Sequence, residues 1–271
     1  MVEAMANGIE DKLIDGLSFK LNPGASYVTD RRSVTYHPQG SNIYKPVAGT
    51  KLIRILLTGD NWLDPSTLRI MFTLNNDETD TAKRLRPLSG PHSFFRRMRI
   101  LAAGQLVEDI DNYNRIHEMM SILTSSDSRD NQAAEAFGTH WDTGTGAYAT
   151  ANAITGGTAL TVLFKPLSGL LNQNKMLPVR YAPITIELEL VDNATDPVIT
   201  AAADATYTVG NTSNDWQIEN VQVKVDVCTL DNALDNSYAQ HLLAGKKEPP
   251  NFIQHLCLSI TISQRNGQEP D

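Results

Sequence analysis

Along most of this chain, apolar residues return at every second position. In residues 183–191 (PITIELELV), Ile184, Ile186, Leu188 and Leu190 fall on one side and Thr185, Glu187 and Glu189 on the other. That is the pattern of an antiparallel strand with one face on a core and one in water, and it assigns both glutamates to a solvent face. Residues 66–74 (STLRIMFTL) repeat it with Leu68, Ile70, Phe72 and Leu74 inward, and residues 158–164 (TALTVLF) with Leu160, Val162 and Phe164. In residues 216–227 (WQIENVQVKVDV), Trp216 and Ile218 share one face, which Val221, Val223, Val225 and Val227 then take over. The change of phase predicts a bulge near Glu219 and Asn220, because one inserted residue exchanges the two faces.

Residues 51–57 (KLIRILL) are more continuously apolar and predict a strand covered on both faces, and residues 33–36 (SVTY) a short earlier one. FFRRMRIL (94–101), a turn at Ala103-Gly104-Gln105 and LVEDI (106–110) read as a hairpin, with glycine where the backbone needs a positive φ. The total is about eight strands. Helical spacing is confined to DNYNRIHEMMSIL, with Asp111 as N-cap and Tyr113, Ile116, Met120 and Leu123 on one face, and to DNALDNSYAQHLLAG, closing at Gly245. Long stretches rich in small residues, before Thr158 and before Trp216, predict decorated loops at one end of a sandwich.

Composition narrows the function classes. With 41% hydrophobic residues in 271, a sizeable core can form without disulfides or metals. A formal net charge of −8 argues against nucleic acid as a partner of the average surface. Two cysteines, Cys228 and Cys257, with no histidine at ligand spacing, suggest neither a disulfide framework nor a zinc site. The first residues carry acids where a signal peptide has basic ones, and no apolar run approaches the roughly 18 residues of a membrane span, so neither signal-driven secretion nor membrane insertion is expected.

Candidate chemistry is thin. His117-Glu118-Met119-Met120-Ser121 begins like a zinc-protease helix but has serine where the second histidine belongs, which favours an exposed polar helix face. The other histidines look scattered. Asp142-Thr143-Gly144 matches an aspartic-protease core without a second copy or a hydrophobic strand leading into it, and reads as turn residues. The Asn193 and Asn211 triplets would matter only in a secreted protein. No nucleophile elbow, Walker loop or dinucleotide fingerprint occurs, and no catalytic residue, cofactor or metal is expected.

The strongest local anomaly is basic: Lys83, Arg84, Arg86, Arg96, Arg97 and Arg99 follow one another without an acid between them. Arginine forks pair bidentately with carboxylates and tolerate partial burial, so Arg96, Arg97 and Arg99, with Glu108, Asp109 and Asp111 on the paired strand, are candidates for contact within the subunit or across a subunit seam.

RSVTYHPQGSNIY (32–44), LTGDNWLDPSTLRIMFTLNND (57–77), LRPLSGPHSFFRRMRILAAGQLVEDIDNYNRIHEMM (85–120) and NSYAQHLLAGK (236–246) together resemble the double jelly-roll major capsid proteins of polinton-like and related large DNA viruses. The resemblance implies an all-β fold, an eight-stranded antiparallel jelly-roll sandwich with long loop insertions and one or two short helices. It also implies a structural role: a subunit that assembles as a homo-oligomeric, trimeric capsomer with other capsid proteins into an icosahedral virion shell inside the host cell. No specific nucleic-acid binding is implied. The expected organisation is an arm at 1–26, a first jelly roll at 27–230, a linker helix at 231–246, and at 247–271 a remnant or the start of a second roll. The chain then corresponds to the N-terminal half of such a protein, whether as a fragment, a truncated gene model or a decayed integrated copy. Two other classes remain open at this point. One is a jelly-roll module binding sugars or another ligand through Trp141 and Tyr148, and the other is an enzyme, which would need histidines and carboxylates clustered inside the roll.

Overall fold

The computed structural model describes residues 28–47, 49–125, 153–199 and 212–244, and the backbone alone of 141–142 and 147–148. In chain order the strands are β1 (Val28–Tyr36), β2 (Ile43–Tyr44), β3 (Leu52–Leu57), β4 (Trp62–Asn76), β5 (Arg84–Leu85), β6 (Phe95–Ala102), β7 (Gln105–Asp111), β8 (Trp141–Asp142), β9 (Ala147–Tyr148), β10 (Ile154–Thr155), β11 (Ala159–Phe164), β12 (Ile184–Leu190) and β13 (Trp216–Leu230). Among the described residues a 3-10 turn, Pro91–Phe94, leads into β6, and the helices are α1 (Tyr113–Ile122) and α2 (Asn232–Leu243). The described residues divide into a unit of Arg31–Cys228 and a smaller one holding residues 28–30 and 229–244. The arm expected at 1–26 and the segment at 247–271 lie outside the described residues.

Eight long strands form two sheets, ordered β1-β13-β4-β11 and β3-β12-β6-β7, with β2 added to β13. Counted by order among the eight, four of the six neighbour pairs sum to nine: first with eighth, second with seventh, third with sixth and fourth with fifth. The chain is therefore one long antiparallel ribbon folded at its middle, the β6–β7 hairpin. Winding it into two layers adds the pairs eighth with third and seventh with fourth. This winding is what makes a jelly roll. At the hairpin, Ala103 (φ 48°) and Gly104 (φ 79°) both adopt positive φ, the primed turn that matches the twist of paired strands.

The core lies between the layers. Leu68, Ile70, Phe72 and Leu74 of β4 meet Ile184, Ile186, Leu188 and Leu190 of β12, all buried. Phe72 is edge-on to Phe94 and Phe95, with ring centroids 6.4 and 5.6 Å away, and Phe94 is edge-on to Trp216 at 4.8 Å. Aromatic packing of this kind adds to the area term, and here it joins strands from both sheets.

The bulge in β13 occurs where the phase changes. Register steps from Glu219↔Thr73 to Gln222↔Met71, three residues against two, and Asn220 takes φ 51°. Trp216 and Ile218 before the bulge, and Val221, Val223, Val225 and Val227 after it, are all buried. In β4 a larger irregularity around Pro65 sets five residues against two of β13. There Asp64 Oδ1 accepts from the Ser66 amide and hydroxyl, and the Thr67 hydroxyl accepts from Asp226 N.

Several sequence expectations need correction. Strand β3 is half-buried: Ile53, Ile55 and Leu57 enter the core while Arg54 is exposed, because β3 is a sheet edge and its outer face carries charge. Leu160 is exposed, since β11 reaches the core only from Val162 onward. Helix α1 starts from Asn112 in a left-handed conformation, whereas Asp111 still belongs to β7 and faces Arg96 at 3.7 Å. Only the first half of α1 is seated: Tyr113 is buried and Ile116 packs on the core, whereas Met120 and Leu123 are exposed. By contrast, α2 is capped as its sequence suggests, Asp231 accepting from Ala233 N at 3.1 Å, and none of its residues is buried.

Candidate assembly surfaces

The outer face of the β3-β12-β6-β7 sheet gathers the predicted arginines. Cross-strand register aligns Arg54, Glu187, Arg99 and Asp109 in one row of alternating sign, the arrangement in which opposed charges stabilise a sheet. Glu187 is the centre. Arg54 reaches its Oε1 at 2.6 Å and Arg99 its Oε2 at 2.9 Å. The two guanidinium groups cover the carboxylate so well that Glu187 is only 5% exposed, which overturns its assignment to a solvent face. Glu189 does stay partly exposed, bound by Arg96 NH2 at 2.6 Å.

Arg97 and Asp109 form a bidentate pair, Nε to Oδ1 at 2.8 Å and NH2 to Oδ2 at 2.6 Å. This bonding raises the Arg97 pKa and lowers that of Asp109. Arg96 and Arg97 can both face outward because the β12–β6 register slips between Glu189 and Leu190, pairing Leu190 with Phe95 and skipping Arg96. Arg96 also lies 3.5 Å from Asp192 and 3.7 Å from Asp111.

Of the six residues singled out in the sequence, five therefore meet on this face, and Glu108 does not. It points inward and is fully buried. Its carboxylate accepts from the Ser168 hydroxyl at 2.6 Å, Gly169 N at 3.0 Å and Leu170 N at 3.4 Å. The Tyr113 hydroxyl accepts from Leu167 N at 2.9 Å, so the segment after β11 is tied down at two points. Arg54, Glu187 and Glu189 were not recognised as members of the network; their signal was alternation itself, which becomes readable only once the strand register is known.

The histidines are less scattered than they look. His92, in the 3-10 turn, stacks on His117 of α1 with centroids 3.9 Å apart and planes 14° from parallel. Glu118 Oε2 lies 3.0 Å from His92 Nε2 and also accepts from the Ser89 hydroxyl. Burial, and then the neighbouring His92, push the His117 pKa down to about 3, and the bond with His92 lowers Glu118 to about 2. His117 is therefore a neutral packing group rather than part of an exposed polar face. Parallel rings keep their in-plane lone pairs in separate planes, which does not suit joint ligation of one ion. Among the described residues, no group of three or more His, Cys, Asp or Glu side chains could hold a metal. Beyond this anchor, Met119, Met120, Ile122 and Leu123 stand exposed, Leu123 at 80%. Of the ligand-module candidates, Trp141 and Tyr148 are paired in the β8–β9 ladder, with their side chains outside the described residues. Thr143, Gly144 and Asn211 are likewise outside them.

Two antiparallel layers with the wound strand order define an all-β jelly roll. Solved structures with this fold include the crystal structure of PBCV-1 VP54 fitted into a cryo-EM reconstruction of the virophage Sputnik (TM-score 0.51, 14% identity, 82% of this chain and 47% of that one). Another is the quasi-atomic model of the PBCV-1 virus capsid (TM-score 0.50, 13% identity, 82% of this chain and 47% of that one). At such identities the likeness is one of fold. The chain spans about half the length of the structures it matches. No protein-family model and no curated protein sequence matches it.

Proposed function

We propose that the chain is a structural subunit of a viral capsid, corresponding to the first jelly roll of a double jelly-roll major capsid protein. It works by shape and mutual contact rather than by catalysis. One observation carries this reading: the nested strand order superposes over 82% of the chain on less than half of the PBCV-1 VP54 structure, as one roll of a two-roll protein would. The stretches that resemble the capsid family lie between Arg32 and Lys246. On this reading residues 27–230 are the roll, 231–246 the linker helix and 247–271 a remnant or the start of a second roll.

The paired outer face suits such a subunit. Arg96, Arg97, Arg99, Asp109 and Asp111 have partners within the chain, so a neighbour can cover this face without meeting uncompensated charge. Trimeric capsomers, other capsid proteins as partners, and a place in the virion shell follow from the family. Among the described residues no helix is long and apolar enough to cross a membrane.

Light scattering and electron microscopy of the purified full chain test the proposal. Discrete ring-like or shell-fragment oligomers are expected. A chain that stays monomeric across concentration and ionic strength would contradict it.

A further inference from the structure

The two outer faces treat their cations in opposite ways. On the β3-β12-β6-β7 face Arg54, Arg96, Arg97 and Arg99 all hold carboxylates. On the β1-β13-β4-β11 face, Lys224 of β13 is the register partner of Arg69 of β4. Lys165 follows Phe164, which pairs with Ile70, and so lies on the other side of Arg69. Three cations thus form one rung across three strands, with Lys165 and Lys224 exposed. Like charges directly opposite each other destabilise a sheet.

Among the described residues no carboxylate forms an ion pair with this rung, and Arg69 bonds only to the carbonyls of Ser66 and Leu68. The two nearby acids are already committed, since Arg31 binds Asp64 at 2.7 Å and Asp226 at 3.0 Å. Burial and then the charge of Arg69 lower the Lys165 pKa against a smaller opposite pull from Asp64, so the cations crowd one another with only partial compensation.

The same face carries the opposite charge at its other end. Lys45 binds Asp77 at 2.6 Å and also feels Asp215 and Glu219, so three carboxylates share one lysine there. Along the β4 direction Glu219 lies level with Thr73, four residues beyond Arg69, and Asp77 lies eight residues beyond Arg69, roughly 13 and 26 Å in extended chain. A rung with excess positive charge and a cluster with excess negative charge therefore share one sheet face but stand too far apart to pair.

We infer that the Lys165–Arg69–Lys224 rung docks onto the Asp77–Asp215–Glu219 cluster of a second copy of this chain. The contact is heterologous, basic end to acidic end, and so can repeat around a ring. The inference rests on the reading of the chain as a self-assembling subunit, and charge complementarity selects the partner.

Charge reversal in the full chain tests it. Lys165→Glu/Lys224→Glu and Asp215→Lys/Glu219→Lys should each weaken self-association by roughly tenfold or more at low salt, measured by sedimentation equilibrium. An equimolar mixture of the two variants should recover pairwise association, because each then offers the charge the other lacks, although an odd-membered ring of alternating variants cannot close. Wild-type assembly with both variants unaffected overturns this inference and leaves the capsid reading standing, whereas a monomeric wild type overturns both. Loss without recovery on mixing, with circular dichroism unchanged, also overturns it. So does a rung whose reversal abolishes binding of a duplex oligonucleotide while self-association persists, which would assign the cations to phosphate.

Discussion

Glu187 and Arg99 face each other across neighbouring strands at 2.9 Å, and Arg54 approaches the other carboxylate oxygen from the opposite side. Removing the carboxylate strands two guanidinium groups above one cavity, whereas removing Arg54 leaves Glu187 still paired. Removing one partner of a buried pair costs about 3–5 kcal/mol when the charge left behind is buried, and less here because the two stranded guanidinium groups are partly exposed. Losing an exposed partner costs about 1 kcal/mol or less. Glu187→Ala should therefore lower stability by roughly 2–4 kcal/mol and Arg54→Ala by less than about 1 kcal/mol, measured by urea denaturation. Equal losses would show that Arg54 and Arg99 do not act as a shared clamp.

The behaviour of Glu187 also marks where the sequence stops being legible. Period-two alternation located four of the eight long strands and even the bulge at Asn220, because facing sheets impose a strict side-chain period, while an apolar run and a hairpin turn signal located most of the others. Alternation assigns a side chain to a face but says nothing of what stands beside it. Glu187 is buried by an arginine 133 residues away and another on a different strand. His92 and His117 look scattered because only the seating of α1 on the 3-10 turn stacks them. Met120 and Leu123 have helical spacing for a core face, yet α1 extends past the sandwich edge before reaching them. The basic run of 83–99 was visible as composition, whereas the Lys165–Arg69–Lys224 rung draws one residue from each of three distant segments and leaves no trace in a window of sequence.

Glu108 should be among the most sensitive polar positions. Three donors converge on its buried carboxylate, and charge-assisted bonds are worth about twice neutral ones. Glu108→Gln turns one acceptor oxygen into a donor facing another donor, and should cost on the order of 2–3 kcal/mol; Ser168→Ala should cost about 1 kcal/mol. Hydrogen exchange at Gly169 and Leu170 should accelerate in Glu108→Gln, with β3 and β12 amides little affected. Unchanged exchange there would remove Glu108 as the anchor of that segment.

Acid should loosen the seating of α1. Folded His117 remains neutral down to about pH 3, while an unfolded imidazole takes up its proton near 6.5. The unfolded chain thus binds more protons across that interval, and stability falls as pH drops through it. Glu118 acts in the same direction lower down: its folded pKa of about 2 lies below the ordinary 4.5, so its contribution is complete above 4.5 and is lost as pH falls toward 2. His117→Phe keeps an aromatic ring against His92, Tyr113 and Phe164 without a titrating group. Denaturation midpoints for this variant should fall less steeply between pH 6.5 and 3 than those of the wild type. Parallel profiles would exclude His117 as the source of acid sensitivity.

The bulge at Asn220 sets the register of β13 and so decides which residues enter the core. With φ 51°, the position favours glycine, tolerates asparagine and penalises a β-branched residue. Asn220→Gly should change stability by only a few tenths of a kcal/mol, whereas Asn220→Val should cost about 1–2 kcal/mol. Deleting Asn220 is a different experiment. Without the extra residue, either Trp216 and Ile218 or Val221, Val223, Val225 and Val227 must turn outward, since a one-residue slip exchanges the faces of everything on one side of it. Either outcome exposes buried side chains worth about 1.5–3 kcal/mol each, comparable in sum to the whole stability of a domain. The deletion should therefore leave no cooperative thermal transition, while Asn220→Gly melts as the wild type does. A deletion variant that melts cooperatively near the wild-type temperature would mean that the two halves of β13 are not locked to opposite phases.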